Sequence, residues 1–324
     1  MKIENNINID AKLIESKLGK DLIYLGNDNF TCGIYKTGSL NLDKITGING
    51  IPKGRIIEIF GSESSAKTTI SLQMLAQGQK DGYKVMFIDV EHTFNGKYAK
   101  NIGIDLDNIL IAKPKTGEQV FEILEFVIKN KIADIVVVDS VAAMVPNDEY
   151  ENDINSQQMG LHARLMSKGL RKIQTLLSNS ETTIIFLNQI REKIGIIFGN
   201  NETTTGGRAL RFYSTMRIEC KKAEIIKNLN NKIGIKVRIN IIKNKISAPY
   251  TTTFLDIIFG QGFKQSNEII DIAIEKGIIK KNGSWYSLLK DDRKLAQGKE
   301  QLREKLTEDI ELFNQIKSET LNSI

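Results

Sequence analysis

The chain has 324 residues, 41% of them hydrophobic, and its 45 lysines and arginines against 39 aspartates and glutamates give a net charge of +6. This length suits about two domains, the apolar content excludes a wholly disordered chain, and the positive charge is compatible with a polyanionic partner without establishing one. The chain has two cysteines far apart and two histidines, which excludes a disulfide framework and a Cys/His metal cluster. It has no long apolar run and no apolar leader, which predicts a cytoplasmic protein.

Residues 10–19 predict a short helix, because Leu13, Ile14 and Leu18 recur at helical spacing. Asp10 is its predicted N-cap and Gly19 its predicted end. A helix this short cannot bury its apolar side alone, so we expect it to dock on its own core or on a neighbouring subunit.

Short apolar runs alternate with helical segments from about residue 55 onward. Such alternation predicts an α/β fold with a mostly parallel central sheet covered by helices on both faces. The predicted strands are 55–60, 84–89, 133–140 and 182–189, and the predicted helices are 67–80, 117–130 and 161–178. Three later apolar runs with short connections predict antiparallel strands that extend one edge, at 216–220, 235–246 and 252–259. The pattern changes again near residue 264, where a small α+β module begins.

The stretch GSESSAKTT at 61–69 matches the phosphate-binding pattern G-x-x-x-x-G-K-[ST], except that Ala66 replaces the second glycine. In such a loop, Lys67 neutralises the β- and γ-phosphates and the Thr68 hydroxyl ligates Mg²⁺. The loop backbone and the helix start surround the phosphate oxygens. These positions are Gly61, Ser62, Glu63, Ser64, Ser65, Ala66, Lys67, Thr68 and Thr69. The alternative is a polar turn with an N-capping serine.

Ala66 leaves two possibilities open. A left-handed backbone there would cost about 1–2 kcal/mol, whereas a negative φ would accommodate alanine without strain.

Three further strand ends carry polar side chains that suit ATP hydrolysis. Asp139 ends the apolar run IVVVD and is placed to hold Mg²⁺. Glu91 follows another strand, where a carboxylate can orient the attacking water. Asn188 and Gln189 end a third strand, where an amide can sense the γ-phosphate. Together with the loop, these residues predict an ATP-hydrolysing site.

The order of these motifs resembles the RecA family of DNA-dependent ATPases. The matching stretches run from about residue 35 to 299, and the most specific of them is NQIREKIGIIFGNNETTTGG. The resemblance implies an N-terminal oligomerisation element at 1–34, a RecA-like ATPase core at 35–263 and a C-terminal DNA-gathering domain at 264–324. For the basic residues of this last domain, an ordinary solvated face is the alternative.

The resemblance also implies roles for single residues. Glu91 matches the catalytic glutamate and Tyr98 the tyrosine that stacks on adenine. Gln189 matches the residue that couples the γ-phosphate to a DNA-binding loop. Lys243 and Lys245 match lysines that reach into the ATP site of the next subunit.

Two DNA-binding loops are implied at about 151–160 and 190–211. The first loop and the helix after it carry the contacts Met159, Gly160, Arg164 and Arg171. The second carries Arg191, Ile194, Gly195, Ile197, Phe198, Gly206, Gly207 and Arg208. Its basic residues and glycines suit phosphate contacts, and its apolar residues can wedge between bases.

These implications predict a recombination protein that uses ATP and Mg²⁺. It would polymerise on single-stranded DNA with ATP between its subunits, pair that DNA with a homologous duplex and exchange strands. A repressor protein of the SOS response is a further expected partner. Two alternatives stay open: an ATP-gated filament that coats DNA with impaired hydrolysis, for which Ala66 is the only support, and another motor of the same fold, such as a hexameric helicase.

Overall fold

A computed structural model describes residues 7–19, 32–152, 160–192, 202–229 and 231–322. The chain divides into two units, Met1–Gly33 and Ile34–Ile324. The described part of the first unit is helix α1, Ile7–Leu18, followed by Gly19 with a φ of 111°. The predicted end of this helix is confirmed. Asp10 as its N-cap is wrong, because the helix begins one turn earlier and Asp10 lies inside it.

The second unit alternates strands and helices along the chain. Its helices are α2 (Leu40–Ile45), α3 (Lys67–Lys80), α4 (Gly96–Ile102), α5 (Gly117–Asn130), α6 (Asn147–Glu151), α7 (Leu161–Leu177), α8 (Ala209–Tyr213), α9 (Gln265–Glu275), α10 (Lys299–Glu308) and α11 (Ile310–Asn322). Its strands are β1 (Ile34–Tyr35), β2 (Ile51–Pro52), β3 (Ile56–Gly61), β4 (Val85–Asp89), β5 (Ile109–Ala112), β6 (Ile135–Asp139), β7 (Thr183–Glu192), β8 (Glu202–Thr204), β9 (Met216–Asn228), β10 (Asn231–Asn244), β11 (Thr251–Ile258), β12 (Ile279–Asn282), β13 (Trp285–Leu288) and β14 (Lys294–Gln297).

The central sheet contains nine strands within the described residues, in the order β11-β10-β9-β3-β7-β6-β4-β5, with β8 paired to β7. Strands β3, β7, β6, β4 and β5 pair in parallel, which confirms the predicted α/β fold. The predicted antiparallel extension is confirmed, because β10 pairs antiparallel with both β9 and β11. Strand β9 joins this extension to the parallel strands, since it also runs parallel to β3, with Ile57 opposite Met216.

Both faces of the inner strands β4 and β6 are buried, which explains why these strands are apolar up to their final aspartate. Along β6, Ile135 and Val137 pack into one core with α3 and α4. Val136 and Val138 pack into a second core with α5 and α7. The carboxyl ends of the parallel strands are therefore left as the edge where polar side chains can gather.

The C-terminal segment forms a three-stranded antiparallel sheet, β12-β13-β14, with α9, α10 and α11 around it. It has a hydrophobic core of its own, which includes Ile269, Tyr286, Leu302 and Ile316. In the part of the chain that the structure describes, no helix combines the length and the apolar character needed to cross a membrane.

Candidate active site

The loop between β3 and α3 has the backbone geometry of a phosphate cradle. Ala66 precedes the first residue of α3 with φ 65° and ψ 23°, and Ser64 has a φ of 57°. At Gly61, a side chain would meet the Cys220 carbonyl oxygen at 2.2 Å, so only glycine fits there. Of the two possibilities open for Ala66, the structure shows the left-handed one.

Lys67 lies across the mouth of this loop. Its Nζ donates to the carbonyl oxygens of Ser62 at 2.7 Å and Gly61 at 3.2 Å. The Ser65 hydroxyl donates to Ser62 O at 2.8 Å and braces the same turn. Burial lowers the pKa of the Lys67 amine. The predicted loop residues are thus brought together around one lysine amine.

The Thr68 hydroxyl donates to Asp139 Oδ2 at 2.7 Å, so the two predicted Mg²⁺ ligands lie side by side. Burial raises the pKa of the Asp139 carboxyl to about 6, and the nearby Glu91 carboxylate adds to this shift. A hydroxyl and a carboxylate are hard oxygen donors, which is what Mg²⁺ prefers. Among the described residues, no group of three or more His, Cys, Asp or Glu side chains is placed to hold a metal ion.

Glu91 is held beside this pair by two donors. The Ser140 hydroxyl and Gln189 Nε2, the latter at 3.3 Å, both donate to Glu91 Oε1. The backbone of Val90 donates to Asp139 O at 2.8 Å, which ties the end of β4 to the end of β6. Glu91, Gln189 and Asp139 therefore meet as predicted.

Asn188 does not face the nucleotide site. Its side chain is fully buried and bonds to Glu58 and Thr205. Of the two amides at this strand end, Gln189 is therefore the one on the side of Glu91, because neighbouring residues of a strand point to opposite faces.

Asp89 is a site residue that the motif search missed. It is fully buried, and its two oxygens accept from Thr93 N at 2.9 Å and Phe94 N at 3.0 Å. These bonds fix the turn that carries Glu91. The sequence signal that could have identified Asp89 is its position as a second acidic residue, close to Glu91, at the end of the same apolar strand.

Tyr98, on α4, lies beside the first turn of α3, the helix that follows the phosphate loop. Its hydroxyl lies 2.6 Å from Thr69 Oγ1, and its backbone N–H donates to the capping residue Asn95 at 3.0 Å. The ring packs against the core beside α3. Tyr98 is thus on the P-loop side of α4, where the resemblance expects an adenine.

Lys243 and Lys245 converge on the C-terminal end of α8. Lys243 Nζ donates to Arg211 O at 2.6 Å and Phe212 O at 3.0 Å, and Lys245 Nζ donates to Phe212 O at 3.4 Å. Burial, the Lys245 charge and the Arg217 charge lower the pKa of Lys243 to about 8. Both amines donate to the carbonyl oxygen of Phe212 within this chain, and their role at the ATP site of a neighbouring subunit stays a prediction.

Most of the predicted DNA-binding residues that the structure describes are exposed. Strands β7 and β8 pair antiparallel, with Arg191 opposite Thr203, so the two described arms of the second loop lie side by side. Gly160, Gly206 and Gly207 have φ values of 84°, 84° and 75°. Arg164, Arg171, Arg191 and Arg208 are exposed. Met159, Ile194, Gly195, Ile197 and Phe198 lie outside the described residues.

Comparison with known proteins gives matches over the whole chain. The protein-family model of the RecA N-terminal domain matches residues 5–264, and that of the RecA C-terminal domain matches residues 267–324. "Protein RecA" of Ureaplasma parvum serovar 3 is 50% identical over 328 residues, which cover 100% of this chain and 98% of the relative. "Protein RecA" of Malacoplasma penetrans is 46% identical, with 100% and 98% covered. "Protein RecA" of Aquifex aeolicus is 49% identical, with 86% and 81% covered.

Proposed function

The chain belongs to the RecA family and acts in homologous recombination, and we propose that it does so as a DNA-dependent ATPase that uses Mg²⁺. The observation that carries this proposal is the position of Glu91. Its carboxylate is oriented by Ser140 and Gln189 beside the Thr68–Asp139 pair and the phosphate loop. A carboxylate at this place can hold a water in line with the γ-phosphate and take its proton.

The other residues of the site bind and orient the substrate. The backbone of residues 61–66 and the Lys67 amine would surround the ATP phosphates, which requires Lys67 to exchange its carbonyl partners for phosphate oxygens. Thr68 directly and Asp139 through water would hold Mg²⁺, which when bound neutralises charge on the β- and γ-phosphates. The Tyr98 ring would stack on adenine.

Single-stranded and duplex DNA are the proposed partners, together with further copies of this chain in a helical filament. The exposed arginines around the two loops suit phosphate contacts. Lys243 and Lys245 would serve the ATP bound by the next subunit, so that nucleotide and polymer stabilise one another. The exposed basic residues of the C-terminal segment would collect duplex DNA; they include Lys280, Lys281, Lys290, Arg293 and Lys294. A cytoplasmic location and an SOS repressor as a further partner belong to the same proposal.

The test is phosphate release at saturating ATP, measured with and without single-stranded DNA, for the parent chain and Glu91→Gln. We expect DNA to stimulate the parent and the variant to hydrolyse at least about a hundredfold more slowly. A parent that hydrolyses ATP without any response to DNA would overturn the proposal. Electron microscopy adds an architectural test, because open helical filaments support a recombinase and closed rings would support a hexameric helicase.

Neither alternative to a recombinase is favoured. The two family models together cover residues 5–264 and 267–324. The hydrolysis-impaired filament rested on Ala66 alone, and Lys67, Thr68, Glu91, Asp139 and Gln189 are all in place around it.

A further inference from the structure

A row of polar side chains crosses one face of the central sheet from β9 to the return arm of the second loop, here defined as residues 202–208. Arg217 Nε donates to Glu58 Oε2 at 2.5 Å, and Asn188 Nδ2 donates to Glu58 Oε1 at 3.0 Å. The Thr205 hydroxyl donates to Asn188 Oδ1 at 2.5 Å. The neighbouring strands β9, β3 and β7 and the return arm thus each supply one member of the row.

The row is buried and its members satisfy one another. Glu58 and Asn188 are fully buried and Arg217 is nearly so. The Asn188 amide uses both its donor and its acceptor sides, because Nδ2 also donates to Thr205 O at 3.1 Å and Oδ1 also accepts from Gln189 N at 2.9 Å. Burying an ion pair is costly unless its remaining hydrogen-bonding groups are paired, and a fully paired network holds one geometry. The row therefore fixes Thr205 relative to β3 and β7.

Each end of the row meets a group that the proposed function uses. At one end, Arg217 lies opposite Lys243 in the β9–β10 register. At the other end, Thr205 precedes Gly206 and Gly207, whose left-handed backbone turns the arm toward α7. Between these ends, Asn188 is joined by one peptide bond to Gln189, whose amide bonds to Glu91.

We propose that Asn188 and Thr205 are positioning residues that make the return arm follow the nucleotide site, with the Glu58–Arg217 pair as their anchor. A movement of β7 at Gln189 shifts Asn188 with it, because the two residues share a peptide bond and face opposite sides of one strand. The two bonds between Asn188 and Thr205 then carry that shift into the arm. This inference rests on the proposed function, since it assigns the arm to DNA and the site to ATP.

The Thr205 hydroxyl can be removed with little change of shape. Thr205→Val deletes the donor to Asn188, whereas Thr205→Ser keeps it. Thr204→Val is the matched control, because Thr204 is the adjacent buried threonine and its side chain makes no hydrogen bond among the described residues. Thermal unfolding of all three variants shows whether each one folds as the parent does.

The decisive measurement is amide hydrogen exchange of residues 202–208, without DNA, in the presence and absence of Mg²⁺ and a non-hydrolysable ATP analogue. We expect the nucleotide to slow exchange in the parent, in Thr205→Ser and in Thr204→Val. In Thr205→Val the slowing should shrink by about fivefold to tenfold, the factor that one hydrogen bond contributes. An equal response in Thr205→Val and the parent, or no response in the parent, overturns the positioning role.

DNA stimulation of ATP hydrolysis separates this inference from the function on which it rests. If DNA stimulates the parent, we expect Thr205→Val to lose most of that stimulation and Thr205→Ser to keep it. If DNA leaves the parent unstimulated, the proposed function fails, while the exchange comparison still decides whether Thr205 transmits the state of the nucleotide site.

Discussion

Ala66 holds a left-handed backbone directly before Lys67, the first residue of α3 and the lysine of the phosphate loop. A non-glycine residue in this region costs about 1–2 kcal/mol, and glycine removes that cost. Glycine also adds freedom to the unfolded chain and removes a methyl group that packs against the core. We expect Ala66→Gly to raise the free energy of unfolding by no more than about 1 kcal/mol. We also expect it to alter ATP affinity modestly without creating hydrolysis that the parent lacks.

The matched control for this substitution is Ala76→Gly. Ala76 is buried in the interior of the same helix. Glycine there should lower the free energy of unfolding by about 1 kcal/mol, because glycine is less favourable than alanine inside a helix and no backbone strain is relieved. Denaturant unfolding of both variants checks that the free energy of unfolding rises in Ala66→Gly and falls in Ala76→Gly. ATP titrations of both variants check the change in affinity. A loss of stability in Ala66→Gly as large as that in Ala76→Gly would show that the loop stores no strain at Ala66.

Ser140 should matter for hydrolysis through Glu91 alone. Its hydroxyl and Gln189 Nε2 are the two side-chain donors to Glu91 Oε1 among the described residues. Ser140→Ala leaves one of them, so we expect about a tenfold loss of turnover, against about a hundredfold or more for Glu91→Gln, which removes the base itself. Phosphate release and ATP affinity, measured separately, check this order. Equal losses in the two variants would contradict an indirect role for Ser140.

The strands and helices around the site could be predicted closely from the sequence. Helices predicted at 67–80 and 117–130 are observed at Lys67–Lys80 and Gly117–Asn130. The reason is physical: β3, β4 and β6 are buried on both faces, so their nearly continuous apolar runs are typical of inner strands of a parallel sheet. Because parallel strands end at one edge, the polar residue after each run also marked the site.

The remaining errors come from tertiary contacts that no local pattern contains. Strand β5 was missed because it is an edge strand with largely exposed residues. The strand pattern alone did not distinguish Asn188 from Gln189; the resemblance assigned the role to Gln189, and the bond of Asn188 to the buried Glu58 gives the physical reason. The left-handed backbone of Ala66 runs against the preference of alanine for negative φ, so the residue type alone could not reveal it.

Lys243 should titrate near physiological pH. Burial, the Lys245 charge and the Arg217 charge lower its pKa to about 8, below the ordinary value of 10.5. A neutral amine is the reactive form, so competitive acylation followed by mass spectrometry should give Lys243 a midpoint near pH 8. Lys245→Gln removes one repelling charge and should raise that midpoint. Lys236→Gln, a lysine on the same strand that does not contribute to the shift, should leave it unchanged. A midpoint that does not move in Lys245→Gln would contradict this account.

Glu268 on α9 caps the start of α2 and so joins the C-terminal segment to the core. Its Oε1 accepts from the Ser39 hydroxyl at 2.6 Å and its Oε2 accepts from Leu40 N at 2.7 Å. Burial nevertheless raises the pKa of Glu268 to about 7, and the Asp43 carboxylate adds to the shift. The hydrogen bonds thus only partly offset the cost of a buried charge.

The stability of the chain should consequently fall as Glu268 ionises. The folded pKa lies above the ordinary value of 4.5, so the native state binds the proton more tightly and loses stability as the pH rises from 4.5 to about 7. This loss is at most about 3 kcal/mol.

Glu268→Gln cannot ionise, so between pH 4.5 and pH 7 the free energy of unfolding should shift in favour of the variant by about 1–3 kcal/mol. Urea unfolding at both pH values measures the shift. Glu275→Gln on the same helix, where the glutamate is exposed and lies 3.7 Å from the Lys44 amine, keeps Glu268 and should therefore show the same pH response as the parent. A parallel pH response in Glu268→Gln and the parent would mean that Glu268 ionises as freely in the folded chain as in the unfolded one.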